Sequence, residues 1–374
     1  MDNAVEPIAF TRDPKDYKIL GKTGFGKGGT VYQAKFLPAD RMVAIKVVDQ
    51  YRLQAYNSEF EFEFRIAFIY HPHILRLICA FRHEDRIWFV MPFMHYGTIK
   101  SIMSSFFPSG LPERSIACIL QQTLFALDHL HSLPLGYGNV DAGYLFLDSN
   151  YDIKLALTAL SYESTTCRQA SSWPASMADW AAAPEVMASH QDGDYNSNRA
   201  ARMWLFGITA LQLAYGRFPA SNRRDLDNLI TKITGHFGPA QVKKNIGKEK
   251  MIPSFIRRRM MGSCLAQESS AVVDIHVNSK LSKSFWEMVA SCFTLDPSKR
   301  PSALQMMGHK FFMDNCGKCE RDRTNSILRE VMGQLPMSSV ITSDQTDELK
   351  WTFNEEMVAR SSSSSSSDSD SDSA

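Results

Sequence analysis

Residues 24–31 read Gly-Phe-Gly-Lys-Gly-Gly-Thr-Val, and residues 43–46 read Val-Ala-Ile-Lys. The first stretch follows the pattern G-x-G-x-x-G-x-V, in which glycines let the backbone approach phosphate groups without an intervening Cβ. Alternating apolar residues around both stretches predict strands over Tyr17–Leu20, Thr30–Phe36 and Met42–Val48. A lysine on the third strand can neutralise phosphates held under the glycine loop. The order and spacing favour a nucleotide site over a solvated lysine beside a chance glycine-rich hairpin.

The residues that follow complete a small lobe. Ser58–Tyr70 predicts a helix that ends near His71-Pro72, because proline cannot continue it. The apolar runs Leu75–Phe81 and Ile87–Met91 predict two further strands. One helix and five strands are typical of an α+β lobe of about 80 residues.

From Gly97 onwards the apolar period changes from two to 3.6 residues, which predicts a mainly helical second part. The predicted helices are Arg114–Leu130, Arg199–Tyr215, Asp225–Thr234, Ser282–Phe293 and Ala303–Phe312. Two short strands, Leu145–Leu147 and Ile153–Leu155, flank a turn. The chain ends in the serine run Ser361–Ser367 and alternating Asp and Ser, which offer too little apolar surface to fold.

Composition excludes several classes of protein. Of the 374 residues, 44% are hydrophobic, which suffices for one large core or two lobes. The chain carries 41 Lys and Arg against 40 Asp and Glu, so no nucleic-acid partner is expected. No apolar run reaches the ~18 residues of a transmembrane helix. Met1–Phe10 lacks the basic and apolar regions of a secretory signal.

The odd number of cysteines, seven, indicates a reducing compartment, cytoplasmic or nuclear, rather than a disulfide framework. Cys79, Cys118 and Cys292 lie in apolar stretches and are predicted to be buried thiols. Cys316 and Cys319 form a C-x-x-C pair, but zinc needs about two more ligands and none is suitably spaced. No metal site is therefore predicted, and a structural or redox role for this pair is the alternative.

Together these motifs resemble a eukaryotic protein kinase domain over residues 17–313. Val90–Met94, Phe206–Leu211 and Asp296–Pro301 are similar to the sterile-20 germinal-centre group, notably its plant members and the STRAD-like pseudokinase adaptors. The resemblance implies an α+β, bilobal fold with a nucleotide cleft between the lobes. The implied segments are a lead-in at 1–16, a small lobe at 17–96, a large lobe at 97–313 with a polar insert at 236–280, a hinge near Pro92–Gly97, and a largely disordered tail at 314–374.

The resemblance also implies which residues contact ATP. They are Gly24, Gly26, Gly29, Val31, Ala44, Lys46, the gatekeeper Met91, Phe93 and Met94. Weak binding of ATP that does not need magnesium is therefore expected. Ala183-Pro184-Glu185 would end the activation segment, where Glu185 is expected to form a buried pair with Arg300.

The residues that should carry the chemistry depart from the family pattern. Where the family has H-R-D-x-K-x-x-N, residues 137–144 read Tyr-Gly-Asn-Val-Asp-Ala-Gly-Tyr. Asn139 replaces the aspartate that accepts the substrate proton, and an amide cannot take a proton near neutral pH. Asp141 replaces the phosphate-steadying lysine. Tyr144 and Leu157 replace the two magnesium ligands, so the main stabiliser of charge on the γ-phosphate is missing.

Three supporting positions differ as well. The helix glutamate that would pair with the strand lysine falls on Phe62, between Glu61 and Glu63. Arg202 stands where an aspartate usually braces the catalytic loop, and Ala178 where a substrate-facing threonine is usual. Random decay of a gene copy would not strike the catalytic positions while sparing the glycine loop. The pattern therefore predicts a pseudokinase.

The predicted function is that of a catalytically inactive kinase fold that regulates a partner kinase in signalling or acts as its adaptor. The alternative is an active or weakly active atypical serine/threonine kinase that transfers the ATP γ-phosphate to proteins. Such an enzyme would use Glu61 or Glu63 with Lys46, and Asp141 as a displaced acid.

Two aromatic residues in the tail suggest how partners are bound. Trp351 and Phe353 resemble the ending through which STRAD-like adaptors dock to an armadillo-like scaffold. A partner kinase and such a scaffold are therefore the expected partners. The alternative is a local helix that packs back on its own domain.

Overall fold

The computed structural model describes residues 9–26, 29–49, 69–133, 140–157, 181–188, 195–238, 280–317 and 321–336. The strands are β1 (Tyr17–Gly26), β2 (Gly29–Phe36), β3 (Arg41–Asp49), β4 (Ile74–Leu75), β5 (Cys79–His83), β6 (Arg86–Pro92), β7 (Leu145–Leu147) and β8 (Ile153–Ala156). The helices are α1 (Ile99–Phe106), α2 (Glu113–Ser132), α3 (Pro184–Ala188), α4 (Tyr195–Tyr215), α5 (Arg223–Phe237), α6 (Lys283–Cys292), α7 (Ala303–Met307), α8 (Lys310–Asn315) and α9 (Arg321–Met332).

The chain forms two compact units, which are divided after Arg76 and again after Phe93. The first unit contains a five-stranded sheet in the order β1-β2-β3-β6-β5, with antiparallel neighbours throughout, which confirms the predicted sheet. Its core consists of the buried side chains Tyr17, Ala34, Phe36, Val43, Ile45, Phe81, Trp88 and Val90. The second unit contains the three-stranded sheet β4-β8-β7 and the helices.

The prediction of one strand over Leu75–Phe81 is wrong. Ile74–Leu75 pairs in parallel with Leu155 and Ala156 in the second unit, whereas Cys79–His83 pairs with β6 in the first. A continuous apolar run does not reveal which sheet each part of it joins. In the helix predicted at 58–70, residues 58–68 lie outside the described ranges, and Ile69 and Tyr70 are not helical.

Helix α2 is the centre of the second unit. Polar residues of this helix, including Gln121, Gln122 and Thr123, are buried together with its apolar stripe, which consists of Ile116, Ile119, Leu120, Leu124, Leu127 and Leu130. This occurs because α4, α7, α8, α9 and β8 all pack against α2. Helix α2 is therefore enclosed by other elements on most of its faces.

The helix predicted over Ala303–Phe312 is two helices. Gly308 ends α7, and His309 caps α8 by accepting the N–H of Phe311 at 3.2 Å through its ring nitrogen Nδ1. Glycine is common just after the last residue of a helix, so the break has a visible signal in the sequence.

The prediction of a largely disordered tail over 314–374 is wrong for its first part, because α9 lies there. Thr324, Ile327, Leu328 and Met332 of α9 are buried. Asn325 donates to Oδ1 of Asp152 at 2.8 Å and to the carbonyl of Asn150 at 3.1 Å, and accepts from Nε2 of Gln122 at 3.2 Å. The second unit therefore includes α9. Residues 337–374, and 239–279 of the predicted insert, lie outside the described ranges.

Two predictions from composition can be compared with the described residues. None of their helices combines the length and hydrophobicity that spanning a bilayer requires. Cys118 and Cys292 are fully buried free thiols, whereas Cys79 is only half-buried.

Candidate functional site

The glycine motif lies at the end of the hairpin formed by β1 and β2. Gly24 pairs with Val31 and Gly26 pairs with Gly29, while Lys27 and Gly28 at the tip lie outside the described residues. The register with β2 shifts between Ile19 and Gly21 and again between Lys22 and Gly24, so the pairing is irregular just before the motif.

Four of the predicted nucleotide-binding side chains share one face of the five-stranded sheet. Val31 lies opposite Lys46, and Ala44 lies opposite Met91. Because side chains alternate along a strand and opposite residues point to the same side, these four lie together on the face away from the core. Phe93 follows directly after β6. These residues fit the phosphate groups and the apolar base of a nucleotide.

Lys46 is placed by its strand partner. Its half-buried side chain extends over the ring of Phe89, with 5.9 Å between Nζ and the ring centroid. Phe89 is fully buried and therefore fixes the lysine stem against the sheet. Met94 belongs to the second unit, where its carbonyl accepts the N–H of Gly97 at 3.1 Å.

Asp141 is fully buried and belongs to a closed group of hydrogen bonds. Its Oδ1 accepts the N–H of Gly143 at 2.8 Å, and its Oδ2 accepts from Nε2 of Gln212 at 2.7 Å. Oε1 of Gln212 in turn accepts the N–H of Ala142 at 3.3 Å. Both carboxylate oxygens are therefore used inside the protein. Sequence reasoning identified Asp141 but missed Gln212, which reads as an ordinary polar position of α4.

Helix α4 also holds this loop at a second point. The hydroxyl of Thr209 donates to the carbonyl of Val140 at 3.0 Å. Thr209 and Gln212 lie two to three turns further along α4 than Arg202, the residue in place of the usual bracing aspartate. The loop is therefore attached to α4, but through residues two to three turns away from position 202.

Arg202 contributes to a buried, positively charged environment. Burial, together with the smaller effect of the guanidinium groups of Arg202 and Arg199, lowers the pKa of His131 to about 3. His131 lies in the last turn of α2, where its burial favours the neutral imidazole. No sequence signal distinguished His131 from any other histidine at a helix end.

The two predicted replacements of magnesium ligands pack against apolar residues. Tyr144 and Leu157 are both partly buried against the hydrophobic core of the second unit. The backbone of Tyr144 is fixed as well, since its N–H donates to the carbonyl of Asp141 and its carbonyl accepts from Ala156. Within the described ranges, no group of three or more His, Cys, Asp or Glu side chains could hold a metal ion. The residues present at these positions do not fit magnesium.

The structure contains the predicted pair between Glu185 and Arg300. Nη1 and Nη2 of Arg300 lie 2.6 and 3.1 Å from the two carboxylate oxygens, and the Arg300 side chain is fully buried. Arg300 also donates to the carbonyls of Ala200 and Thr294 and lies over the ring of Trp204 at 5.3 Å. These contacts fasten the start of α3 to α4.

Several predicted residues lie outside the described ranges. They are Glu61, Phe62, Glu63, Asn139, Ala178, Trp351 and Phe353. Their predicted roles therefore stay predictions.

Comparison with known proteins identifies relatives over most of the chain. A family model described as the protein kinase domain matches residues 17–312. Serine/threonine-protein kinase fray2 of Dictyostelium discoideum is 25% identical over 337 residues, which are 87% of this chain and 28% of that protein. Serine/threonine-protein kinase 10 of Homo sapiens is 26% identical over 335 residues, 88% of this chain and 30% of that protein.

A third relative is of comparable length. STE20-related kinase adapter protein alpha of Bos taurus is 25% identical over 315 residues, which are 79% of this chain and 82% of the adapter. The chain thus spans about a third of the two kinases or less, but most of the adapter. The predicted resemblance to the sterile-20 group is confirmed.

Proposed function

The chain belongs to the protein kinase domain family, with relatives in the Ste20 group, and on that premise we propose that it is a pseudokinase that acts as a regulator or adaptor of a partner kinase. The observation that carries the proposal is the burial and hydrogen bonding of Asp141. A residue at this position of an active enzyme would contact the transferred phosphate, whereas Asp141 is fully buried and bonded to Gln212.

Three further features support the proposal. Asn139 cannot accept a proton from a substrate hydroxyl near neutral pH. Tyr144 and Leu157 place a phenol and an alkyl chain where metal ligands are needed, and both pack on the apolar core. Loss of the metal ligands removes the main stabiliser of charge on the transferred phosphoryl group.

The alternative of an active enzyme required Asp141 to act as a displaced acid. A displaced acid must reach the substrate, but both oxygens of Asp141 are bonded within the loop and to α4. Its burial therefore argues against that role. The other residues of the alternative, Glu61 and Glu63, lie outside the described ranges.

The framework needed for binding is retained. The glycine motif at the end of the β1–β2 hairpin and the register of Lys46 opposite Val31 support the proposal of nucleotide binding, and the Glu185–Arg300 pair fastens α3 to α4. A kinase fold of this kind binds a partner kinase without chemistry, and the tail residues Trp351 and Phe353 are proposed to dock an armadillo-like scaffold. The adapter relative, matched over most of its length, is consistent with this role.

A radiolabelled γ-phosphate transfer assay with Mg²⁺ tests the catalytic part of the proposal. Purified protein is expected to give no transfer above a no-enzyme blank, with an active kinase of the Ste20 group as the positive control. The Lys46→Met variant should be indistinguishable from the wild type. Robust transfer that Lys46→Met abolishes would show that the chain is an enzyme.

Thermal denaturation with ATP and EDTA tests the nucleotide part separately. Binding to the folded state alone stabilises it by ~1.4 kcal/mol at ligand tenfold above Kd. Lys46→Met should remove the shift, whereas Lys18→Met, which changes an exposed lysine of β1, should keep it. The absence of any shift at millimolar ATP would refute nucleotide binding and leave the adaptor role intact.

A further inference from the structure

Two fully buried cysteines from distant parts of the chain lie in contact. Sγ of Cys118 on α2 and Sγ of Cys316, which follows α8, are 3.8 Å apart, and one thiol donates a hydrogen bond to the other. Both are free thiols. We propose that Cys118 and Cys316 form a redox modification site, at which a peroxide converts the two thiols into a disulfide.

The surroundings of Cys316 favour its thiolate, which is the reactive form. The hydrogen bond from Cys118 lowers the pKa of the Cys316 thiol, and the guanidinium groups of Arg323 and Arg114 act in the same direction against the effect of burial. The guanidinium group of Arg323 lies close to Gly317, the residue after Cys316: a Cβ built on this glycine would be 2.7 Å from Nη1 of Arg323.

The other described cysteines differ. Burial raises the pKa of the Cys292 thiol to about 12, and it also raises the pKa of Cys79. The polar neighbours of Cys79 are the phenol of Tyr17 at 3.6 Å and the carbonyl of Thr11 at 3.7 Å rather than a second thiol. These two cysteines therefore serve as internal controls.

The reaction needs only hydrogen peroxide and the two thiols. The thiolate of Cys316 attacks one peroxide oxygen and the O–O bond breaks, which gives a sulfenic acid on Cys316. The second oxygen leaves as hydroxide and becomes water with the proton that the Cys316 thiol has lost. The sulfur of Cys118 then attacks the sulfenic sulfur, the S–O bond breaks, and a second water leaves with the thiol proton. Two sulfurs are oxidised and both peroxide oxygens are reduced. The sulfurs must approach by about 1.8 Å to reach the disulfide length of ~2.0 Å.

The disulfide would join α2 to the segment that leads into α9. Its two residues are 198 positions apart, so the bond would restrict the unfolded chain over more than half its length. While it persists, it would also tie the start of the segment before α9 to α2, and α9 contacts the loop between β7 and β8 through Asn325. Oxidation is therefore expected to raise the melting temperature by several degrees.

Peptide mapping of the full chain tests the proposal. Native protein is treated with graded hydrogen peroxide, remaining thiols are alkylated after unfolding, and the digest is analysed by mass spectrometry without reduction. The expected product is a pair of peptides joined through Cys118 and Cys316, which dithiothreitol separates. Cys292 should be recovered alkylated.

Variants distinguish this pair from the neighbouring C-x-x-C motif. Cys319→Ala should keep the cross-link and the rise in melting temperature, whereas Cys118→Ala should lose both. A bond between Cys316 and Cys319 in the wild type, a sulfinic acid on Cys316 without any disulfide, or two unmodified thiols would each overturn the proposal. Because the mapping uses wild-type protein, it remains decisive if Cys118→Ala does not fold.

Discussion

The buried hydrogen bonds of Asp141 make a quantitative prediction for the substitution Asp141→Asn. The new amide keeps an oxygen for the N–H of Gly143, but its NH₂ group faces the NH₂ group of Gln212 at the former 2.7 Å contact. If Gln212 turns its own amide over, its NH₂ group then faces the N–H of Ala142 instead. In either arrangement one buried donor loses its acceptor.

The expected cost follows from these contacts. A buried donor without an acceptor costs ~1–3 kcal/mol, and hydrogen bonds to a charged group contribute more than those to a neutral one. Asp141→Asn is therefore expected to lower the free energy of unfolding by ~2–4 kcal/mol. The substitution changes volume very little, so packing does not contribute.

The substitution Gln212→Glu should rescue it. In the double variant the new carboxylate accepts from both the new amide and the N–H of Ala142, so every group is paired again. Gln212→Glu alone places two carboxylates at the 2.7 Å contact, which raises the pKa of one of them and destabilises the protein at neutral pH. Because protonation relieves that repulsion, the single variant should recover stability as the pH falls.

The wild type, the two single variants and the double variant form a double-mutant cycle. Urea unfolding of these four proteins at pH 7, followed by tryptophan fluorescence, measures it. The double variant should be more stable than the sum of the single losses predicts, by at least 1 kcal/mol on the scale of typical coupling energies. If Asp141→Asn does not change the free energy of unfolding, or if the two losses simply add, then the hydrogen bonds between Asp141 and Gln212 do not hold the loop.

Three other outcomes can be measured. Burial and nearby arginines hold the pKa of His131 at about 3 in the folded protein, against about 6.5 in the unfolded chain. As the pH falls, the unfolded state therefore takes up a proton first, and the free energy of unfolding should fall by about 2 kcal/mol from neutral pH to pH 5. His131→Gln should flatten this part of a plot of urea midpoint against pH, and an unchanged plot would contradict the lowered pKa of His131. A chain that ends after Asn315 loses the buried apolar residues of α9 and should melt well below one that ends after Pro336, as calorimetry would show; equal melting would mean that α9 adds nothing to the fold. Trp351→Ala with Phe353→Ala should weaken capture of an armadillo-like scaffold roughly thirtyfold in a pull-down titration and leave the melting temperature unchanged. Normal capture with a lower melting temperature would show instead that the tail packs on its own domain.

The small sheet could be predicted from the sequence because its signals are local. Strands β1 to β3 alternate apolar and polar residues, and the turns between them carry glycine or proline. The same alternation places Lys46 and Val31 on one face without knowledge of the rest of the molecule. The division of residues 74–83 between two sheets depends on distant strands, so no local pattern could reveal it.

Helix α9 was missed although its sequence carries a signal. Thr324, Ile327, Leu328 and Met332 recur at the spacing of one helix face, but the Ser and Asp residues that follow dominate the composition of the tail. The partner of Asp141 could not be found in this way. Gln212 is 71 positions away, and only the packing of α4 under the loop brings the two together.

The losses at the catalytic loop are linked through α4 rather than independent. Arg202 removes the usual brace, and Thr209 and Gln212 provide another one on the same helix. That second brace requires a carboxylate at position 141, since a lysine there would bury an ammonium group against the NH₂ group of Gln212. The single substitution Asp141→Lys is therefore expected to destabilise the loop. Both carboxylate oxygens of Asp141 are thus used to hold the backbone of the loop and its contact with α4.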